Sequence, residues 1–189
     1  MGVIRFGGMP PPQFNPSDRD QFPAPRGNLS LQGAVSPELE MLMQHKRLYQ
    51  SDGQRTYAVV LESGDEVMEC LQRFVTAKRI FAAQLTGIGA FSDLVLMYFD
   101  WEKKDYLRIP ITEQVEVASL IGDVAEAPSG APALHVHLVV GRRDGTALAG
   151  HLAQGHVRPT LEVVLTESPT HLRKKKDAET GLALIRPRA

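Results

Sequence analysis

Short runs in which apolar residues recur at alternate positions dominate the chain between residues 56 and 167. A period of two is typical of β-strands that bury one face. The predicted strands are Tyr57–Leu61, Ile80–Leu85, Ser92–Asp100, Tyr106–Ile109, Gln114–Val124, Ala133–Val140, Thr146–Leu152 and Leu161–Thr166. Hairpin connections dominate over helical crossovers in the second half, so the pattern predicts a mostly antiparallel sheet.

One helix is expected after the first strand, where Val67, Leu71 and Phe74 share one face of a 3.6-residue period. Cys70 borders that face, and no neighbouring group would stabilise its thiolate, so we expect a buried hydrophobe and not a nucleophile. With 189 residues, 43% of them hydrophobic, the chain is long enough for one core. The predicted fold class is α/β (α+β), a mostly antiparallel mixed sheet with one main helix.

Composition divides the chain before this domain into two parts. Residues 1–37 hold seven of the thirteen prolines and five of the sixteen glycines without an apolar period, which predicts a flexible arm. Residues 38–55 are expected to form a short helix and a linker, because the leucines of Pro37–Tyr49 fall near helical intervals. This helix should dock on the domain, residues 56–167, or on a neighbouring chain.

Residues 168–189 are the predicted C-terminal tail. The basic run Arg173–Lys176 is followed by Asp177 and Glu179, a pattern more typical of solvated surface than of a nucleic-acid contact. The formal net charge is -1, so the chain lacks the positive field with which nonspecific binders displace counterions from phosphates. DNA binding would have to be local or depend on an oligomer.

The number of cysteines and the length of the apolar runs indicate which cellular compartment to expect. Cys70 is the only cysteine, so an intramolecular disulfide cannot form and a reducing compartment is expected. No apolar run reaches the roughly 18 residues of a membrane span. Met1–Gln13 is interrupted by Arg5, glycines and prolines, unlike a secretory signal. We therefore expect a cytoplasmic protein that does not enter a membrane.

Gly87-Ile-Gly89 resembles part of a dinucleotide-binding loop. That loop needs a third glycine and a helix directly after it, so that amide groups point at a pyrophosphate. The residues from Ser92 onward favour a strand instead. A tight connection between two strands is expected here, and no nucleotide site.

Three histidines carry the main chemical signal. In the strand Ala133–Val140, alternation sends Val136 and its apolar neighbours to one face and places His135 and His137 side by side on the other. Side chains two residues apart on one strand face lie about 7 Å apart at Cα, from which two imidazoles can reach one ion at about 2.0 Å.

The position of His151 depends on the register of the next hairpin. A two-residue turn would point it into the core, whereas a three-residue loop at Arg143–Gly145 places it directly across from His137. The apolar pattern favours the three-residue loop, because Leu148 then faces the core and Gly145 supplies the left-handed residue that such a loop requires.

Three neutral imidazoles would leave a divalent ion with an open position for water, a carboxylate or a substrate oxygen. Zinc is the ion expected, and a small molecule could be its ligand. The alternative is that the three histidines hydrogen-bond within the sheet or a subunit interface, and the residues alone leave both interpretations open. His156 could substitute as a ligand but is expected in a loop, while His45 and His171 are expected on the surface.

The ordered set of motifs resembles the plants-and-prokaryotes-conserved (PPC) domain over about Tyr57 to Thr166. The motifs are Gly87-Ile-Gly-Ala90, Val115-Glu-Val-Ala-Ser-Leu-Ile-Gly122, His135-Val-His137, Arg143-Asp-Gly145 and Gly150-His-Leu152. The resemblance implies a small α/β domain, usually a homotrimer, regarded in bacteria as DNA-binding and joined in plants to AT-hook motifs. This chain lacks the Arg-Gly-Arg-Pro core of an AT-hook, of which Pro25-Arg-Gly27 is only a fragment.

A more distant similarity, in fold and histidine arrangement, is to acetolactate decarboxylase, and it implies a metal held by His-x-His and a later histidine. Two functions follow as hypotheses. The first is a trimeric, metal-binding PPC-type protein with a regulatory or DNA-associated role. The second is a metal-dependent lyase or hydrolase acting on a small oxyanionic or carbonyl substrate, in which a carboxylate such as Glu162 or Glu116 could act as the base, although the sequence places neither.

Overall fold

The computed structural model describes residues 44–187, which hold nine strands and one helix. In chain order these are β1 (Gln44–Ser51), β2 (Gln54–Glu62), α1 (Val67–Ala77), β3 (Ala82–Asp100), β4 (Asp105–Ile111), β5 (Val115–Glu126), β6 (Pro132–Gly141), β7 (Ala147–Glu167), β8 (Lys174–Lys176) and β9 (Ala183–Ile185).

Seven of the strands form one sheet in the order β1-β2-β7-β6-β5-β3-β4, and β7 pairs with β3 as well. Every pairing in this sheet is antiparallel, which confirms the predicted fold class. The long strands β3 and β7 change register at several bulges, and such bulges bend a strand. As a result β3, β5, β6 and β7 close into a ring.

The core lies inside this ring and beneath α1. Phe91, Leu120 and Leu161 are fully buried there. The helix begins at Glu66, whose side chain accepts a hydrogen bond from the backbone N–H of Glu69 at 2.7 Å. Cys70 is free and buried at 4% exposure, as predicted, and burial raises the pKa of its thiol.

The predicted helix over Pro37–Tyr49 is wrong where the structure describes it. Residues 44–49 belong to β1, which pairs with the edge of β2, and Leu48 remains 54% exposed. Asp52 and Gly53 both have positive φ, at 49° and 80°, the geometry of a tight hairpin turn. Hydrogen bonds to the backbone of β2 therefore stabilise a strand here more than the weak helical spacing of the leucines stabilises a helix. The rest of that predicted helix and the predicted arm lie outside the described residues.

Two predicted connections are interior parts of long strands. Gly89 lies within β3, where the register against β5 shifts, and a Cβ there would stand 2.2 Å from the Thr160 carbonyl oxygen. The glycine therefore permits a close strand approach, and the predicted connection between two strands is wrong. His156, expected in a loop, lies within β7.

Among residues 44–187, no helix is long and apolar enough to cross a membrane.

The predicted tail is partly folded against the domain. The Glu126 backbone N–H donates to the Leu172 carbonyl at 2.7 Å, and β8 and β9 then form a small hairpin of their own. The segment therefore continues from the end of β5 and does not leave the domain.

Candidate metal centre

The strand β6 carries two of the three histidines on its outer face. Val136, Leu138 and Val140 point into the core with at most 2% exposure, while His135 and His137 alternate with them on the outside. The apolar face thus fixes the direction of both imidazoles.

The third histidine is brought in by the register that the apolar pattern predicts. The Arg142 N–H donates to the Thr146 carbonyl at 2.8 Å, which leaves a three-residue loop between them, and Gly145 has a φ of 81°. His151 consequently pairs directly with His137. Both the predicted loop and the predicted facing of His151 are confirmed.

The three rings form a nearly symmetric cluster. Their centroids are 4.9, 5.1 and 5.2 Å apart, and one nitrogen of each ring lies within 4.8 Å of the others. The Nε2 atoms of His135 and His137 are separated by 3.2 Å. Two nitrogens bound tetrahedrally to one zinc ion at about 2.0 Å would be about 3.3 Å apart. The spacing of this pair therefore fits two ligands of a tetrahedral ion.

The surroundings of His137 and His151 favour the neutral imidazole, which is the form that binds a metal. Burial, followed by the charges of His135 and His137, lowers the pKa of His151 to about 4. Burial also lowers the pKa of His137, with a smaller effect from His135. His151 Nδ1 is buried without a hydrogen-bond partner among the described residues, and an ion would offer such an orphaned nitrogen a partner.

A carboxylate that sequence reasoning missed supports His135 from behind. Asp123 pairs with His135 across β5 and β6, and the His135 Nδ1 donates to its Oδ2 at 3.3 Å. Burial acts to raise the pKa of Asp123, but the hydrogen bond from His135 and the nearby positive charge of Lys174 outweigh it, so the pKa lies below its usual range. An ionised carboxylate behind a histidine fixes its tautomer and makes it a better metal ligand.

An aromatic and an aliphatic side chain flank the cluster. Tyr106 lies 5.4 Å from His151 between ring centroids, at an interplanar angle of 32°. Ile121 sits opposite His137 on the same face and is 55% exposed. His137 itself is exposed, so the site is open to solvent.

The glutamates considered as bases lie elsewhere. Glu116 pairs with Gly141, five positions along β5 from the partner of His137, which is a separation of about 16 Å at about 3.3 Å per residue. Glu162 lies eleven residues beyond His151 on β7. Among the described residues neither glutamate forms a hydrogen bond or an ion pair with the three histidines, whose polar partners are one another and Asp123. The role of either glutamate as a base therefore stays a prediction.

The remaining histidines stand apart from the cluster. His156 is not part of the group of converging histidines among the described residues, and its Nδ1 donates to Asp93 at 2.8 Å. His45 and His171 are exposed, as predicted, with ring contacts to Phe74 and Phe81 respectively.

Comparisons with known proteins identify the fold. Residues 49–169 match the family model of the Plants and Prokaryotes Conserved (PCC) domain. A search of curated proteins found no match.

Three solved structures illustrate the similarity. A putative DNA binding protein from Bacteroides thetaiotaomicron is 26% identical with a TM-score of 0.71, over 78% of this chain and 99% of that one. A plant- and prokaryote-conserved protein from Pyrococcus horikoshii is 29% identical with a TM-score of 0.65, over 81% and 97%. A metal-containing protein from Archaeoglobus fulgidus is 31% identical with a TM-score of 0.64, over 69% and 92%. The chain thus belongs to the Plants and Prokaryotes Conserved domain family.

Proposed function

We propose that this protein binds a divalent metal ion, zinc by preference, through His135, His137 and His151, and that it acts in the cytoplasm as a regulatory, DNA-associated protein. The observation that carries the metal proposal is the set of three imidazole nitrogens within 4.8 Å of one another. The metal-containing relative from Archaeoglobus fulgidus supports it.

The donor set defines what a bound ion would supply. Three neutral imidazoles leave the ion's charge uncompensated and a position open, where a metal polarises a carbonyl or carboxylate oxygen or lowers the pKa of bound water. Solvent access beside His137 suits a small oxyanionic ligand. Asp123 holds the His135 ring from behind and is not one of the donors.

Elemental analysis tests the metal proposal. Protein purified without a nickel column, then dialysed against zinc and desalted, should retain about one equivalent per chain. The double variant His135→Ala/His137→Ala should retain none, and His45→Ala, which changes an exposed histidine of β1 outside the cluster, should match the wild type. A wild type that retains no metal would refute the proposal.

We also propose the homotrimer that the family resemblance implies. Ile88, Ile121 and Val164 are 63%, 55% and 45% exposed and surround a depression of about 430 Å³ on the outer face of the sheet. Apolar patches of this kind usually mark protein contacts. Light scattering should give the mass of three chains, and Ile88→Glu/Ile121→Glu should give one chain. A monomeric wild type would contradict the proposed trimer but would not contradict the proposed metal site.

DNA association is proposed from the relative in Bacteroides thetaiotaomicron. The net charge of -1 means that the contacts must be local or combined across subunits. The protein should retard a duplex DNA fragment at about 50 mM salt and release it by about 200 mM, as counterion release requires. No retardation at the lower salt concentration would remove DNA from the proposal.

A further inference from the structure

The C-terminal segment, defined here as residues 171–187, lies beyond the residues that the family model matches and reaches the histidine cluster. Besides the backbone bond from Glu126 to Leu172, the Nε of Arg173 lies 3.5 Å from a Glu126 carboxylate oxygen. These contacts hold the segment beside the end of β5, three positions along from Asp123 and its partner His135.

Lys174 departs from the solvated character expected of the basic run. Its side chain is only 7% exposed, whereas Arg173 and Lys175 on either side are exposed. Its Nζ lies 3.1 Å from Asp123 Oδ1. Burying a lysine costs side-chain entropy and hydration, so the position is stable only with a close counter-charge. Asp123 is that counter-charge.

The two oxygens of Asp123 therefore have separate partners. Oδ1 forms an ion pair with Lys174 Nζ that lacks hydrogen-bond geometry, and Oδ2 accepts a hydrogen bond from Nδ1 of His135. A carboxylate anchored at one oxygen cannot rotate freely, so the other oxygen stays aimed at the imidazole. With Nδ1 carrying the proton, Nε2 of His135 presents its lone pair toward the cluster, 3.2 Å from Nε2 of His137.

We propose that Lys174 is a positioning residue of the histidine site, which acts through Asp123 to fix the orientation and tautomer of His135. This inference rests on the proposed metal binding. It assigns to the C-terminal segment a part in the site, although the segment contributes none of the three ligands.

The direction in which metal affinity changes when Lys174 is replaced distinguishes this positioning role from a purely electrostatic one. A lysine charge close to the cluster repels a divalent ion, so removing the charge alone would tighten metal binding. Loss of an outer-shell partner weakens metal affinity by about 10- to 100-fold. Because Asp123 itself remains in Lys174→Met, we expect a loss of about 10-fold, at the lower end of that range.

The experiment is a competition titration of cobalt and zinc on the full chain against a chromophoric chelator. Lys174→Met should weaken the binding of both ions. Lys174→Arg, which keeps a charged donor, should retain most of the wild-type affinity. Lys175→Met alters the exposed neighbour and should leave the affinity unchanged. Asp123→Asn should weaken binding at least as much, and adding Lys174→Met to it should cause little further loss, because both residues act along one path.

Circular dichroism in EDTA establishes that each variant is folded. If Lys174→Met does not fold, Lys174→Gln gives the same test, because its shorter side chain removes the charge and falls short of Asp123. Unchanged or tighter binding in the folded variant overturns the inference while the metal proposal stands. A wild type that binds neither ion defeats the metal proposal itself, and this inference with it.

Discussion

Acid should destabilise the metal-free protein through His151. Its pKa falls from the ordinary 6.5 to about 4 in the folded state, so the folded protein binds this proton less tightly than the unfolded chain. The stability associated with the neutral ring is complete above pH 6.5 and is lost as the pH falls toward and through about 4. The sensitive window is therefore roughly pH 6.5 to 4.

The size of the pKa shift at His151 determines how much folding stability is lost in acid. At pH 5 most unfolded chains carry the His151 proton and few folded ones do, which gives a loss of about 2 kcal/mol relative to pH 7.5. Solvent screening at this half-buried ring reduces the expected loss to about 1 kcal/mol. His151→Asn keeps a polar side chain of similar reach but cannot take up this proton, so it should avoid that part of the loss.

Urea unfolding in EDTA at pH 7.5 and pH 5 measures the difference. The wild type should lose about 1 kcal/mol more than His151→Asn between the two pH values. His45→Asn serves as the control, because it removes an exposed histidine of β1 outside the cluster and should behave like the wild type. Equal losses in the wild type and His151→Asn would show that the cluster does not depress this pKa.

Two further predictions concern the backbone that supports the cluster. Gly89→Ala places a Cβ 2.2 Å from the Thr160 carbonyl oxygen and should cost more than about 3 kcal/mol in urea unfolding, whereas Gly141→Ala, with no atom within 4 Å, should be nearly neutral. A stable Gly89→Ala protein would contradict the close strand contact. Deletion of Asp144 shortens the hairpin loop to two residues and should turn His151 toward the core, so metal retention by elemental analysis should fall to background. Full retention would show that the register is set elsewhere.

The histidine cluster could be predicted from the sequence because it depends only on local features, namely strand alternation and the register of one hairpin. Alternation fixed the faces of His135 and His137, and only the three-residue loop both buried Leu148 and used Gly145 at positive φ. A register error of one residue would have turned His151 into the core, so the apolar pattern leaves little freedom.

Asp123 and Lys174 could not be found in the same way. Their placement depends on how β5 pairs with β6 and how the segment after residue 170 returns to the end of β5, and neither contact has a short-range signal. A run of basic residues is usually solvated, and nothing local distinguishes Lys174 from Lys175. For β1, the Asp52-Gly53 dipeptide was the usable signal, since that pair favours a hairpin turn.

All three imidazoles belong to a single hairpin, β6 and β7 joined at Arg143–Gly145. Closing a short loop costs less entropy than joining distant strands, so we expect this hairpin to form before the β3–β7 pairing closes the ring. A metal ion would then meet its ligands on a partly folded chain, and it should accelerate folding as well as stabilise the product. Binding to such incomplete states would also reduce the stabilisation seen at equilibrium below the value expected from native affinity alone.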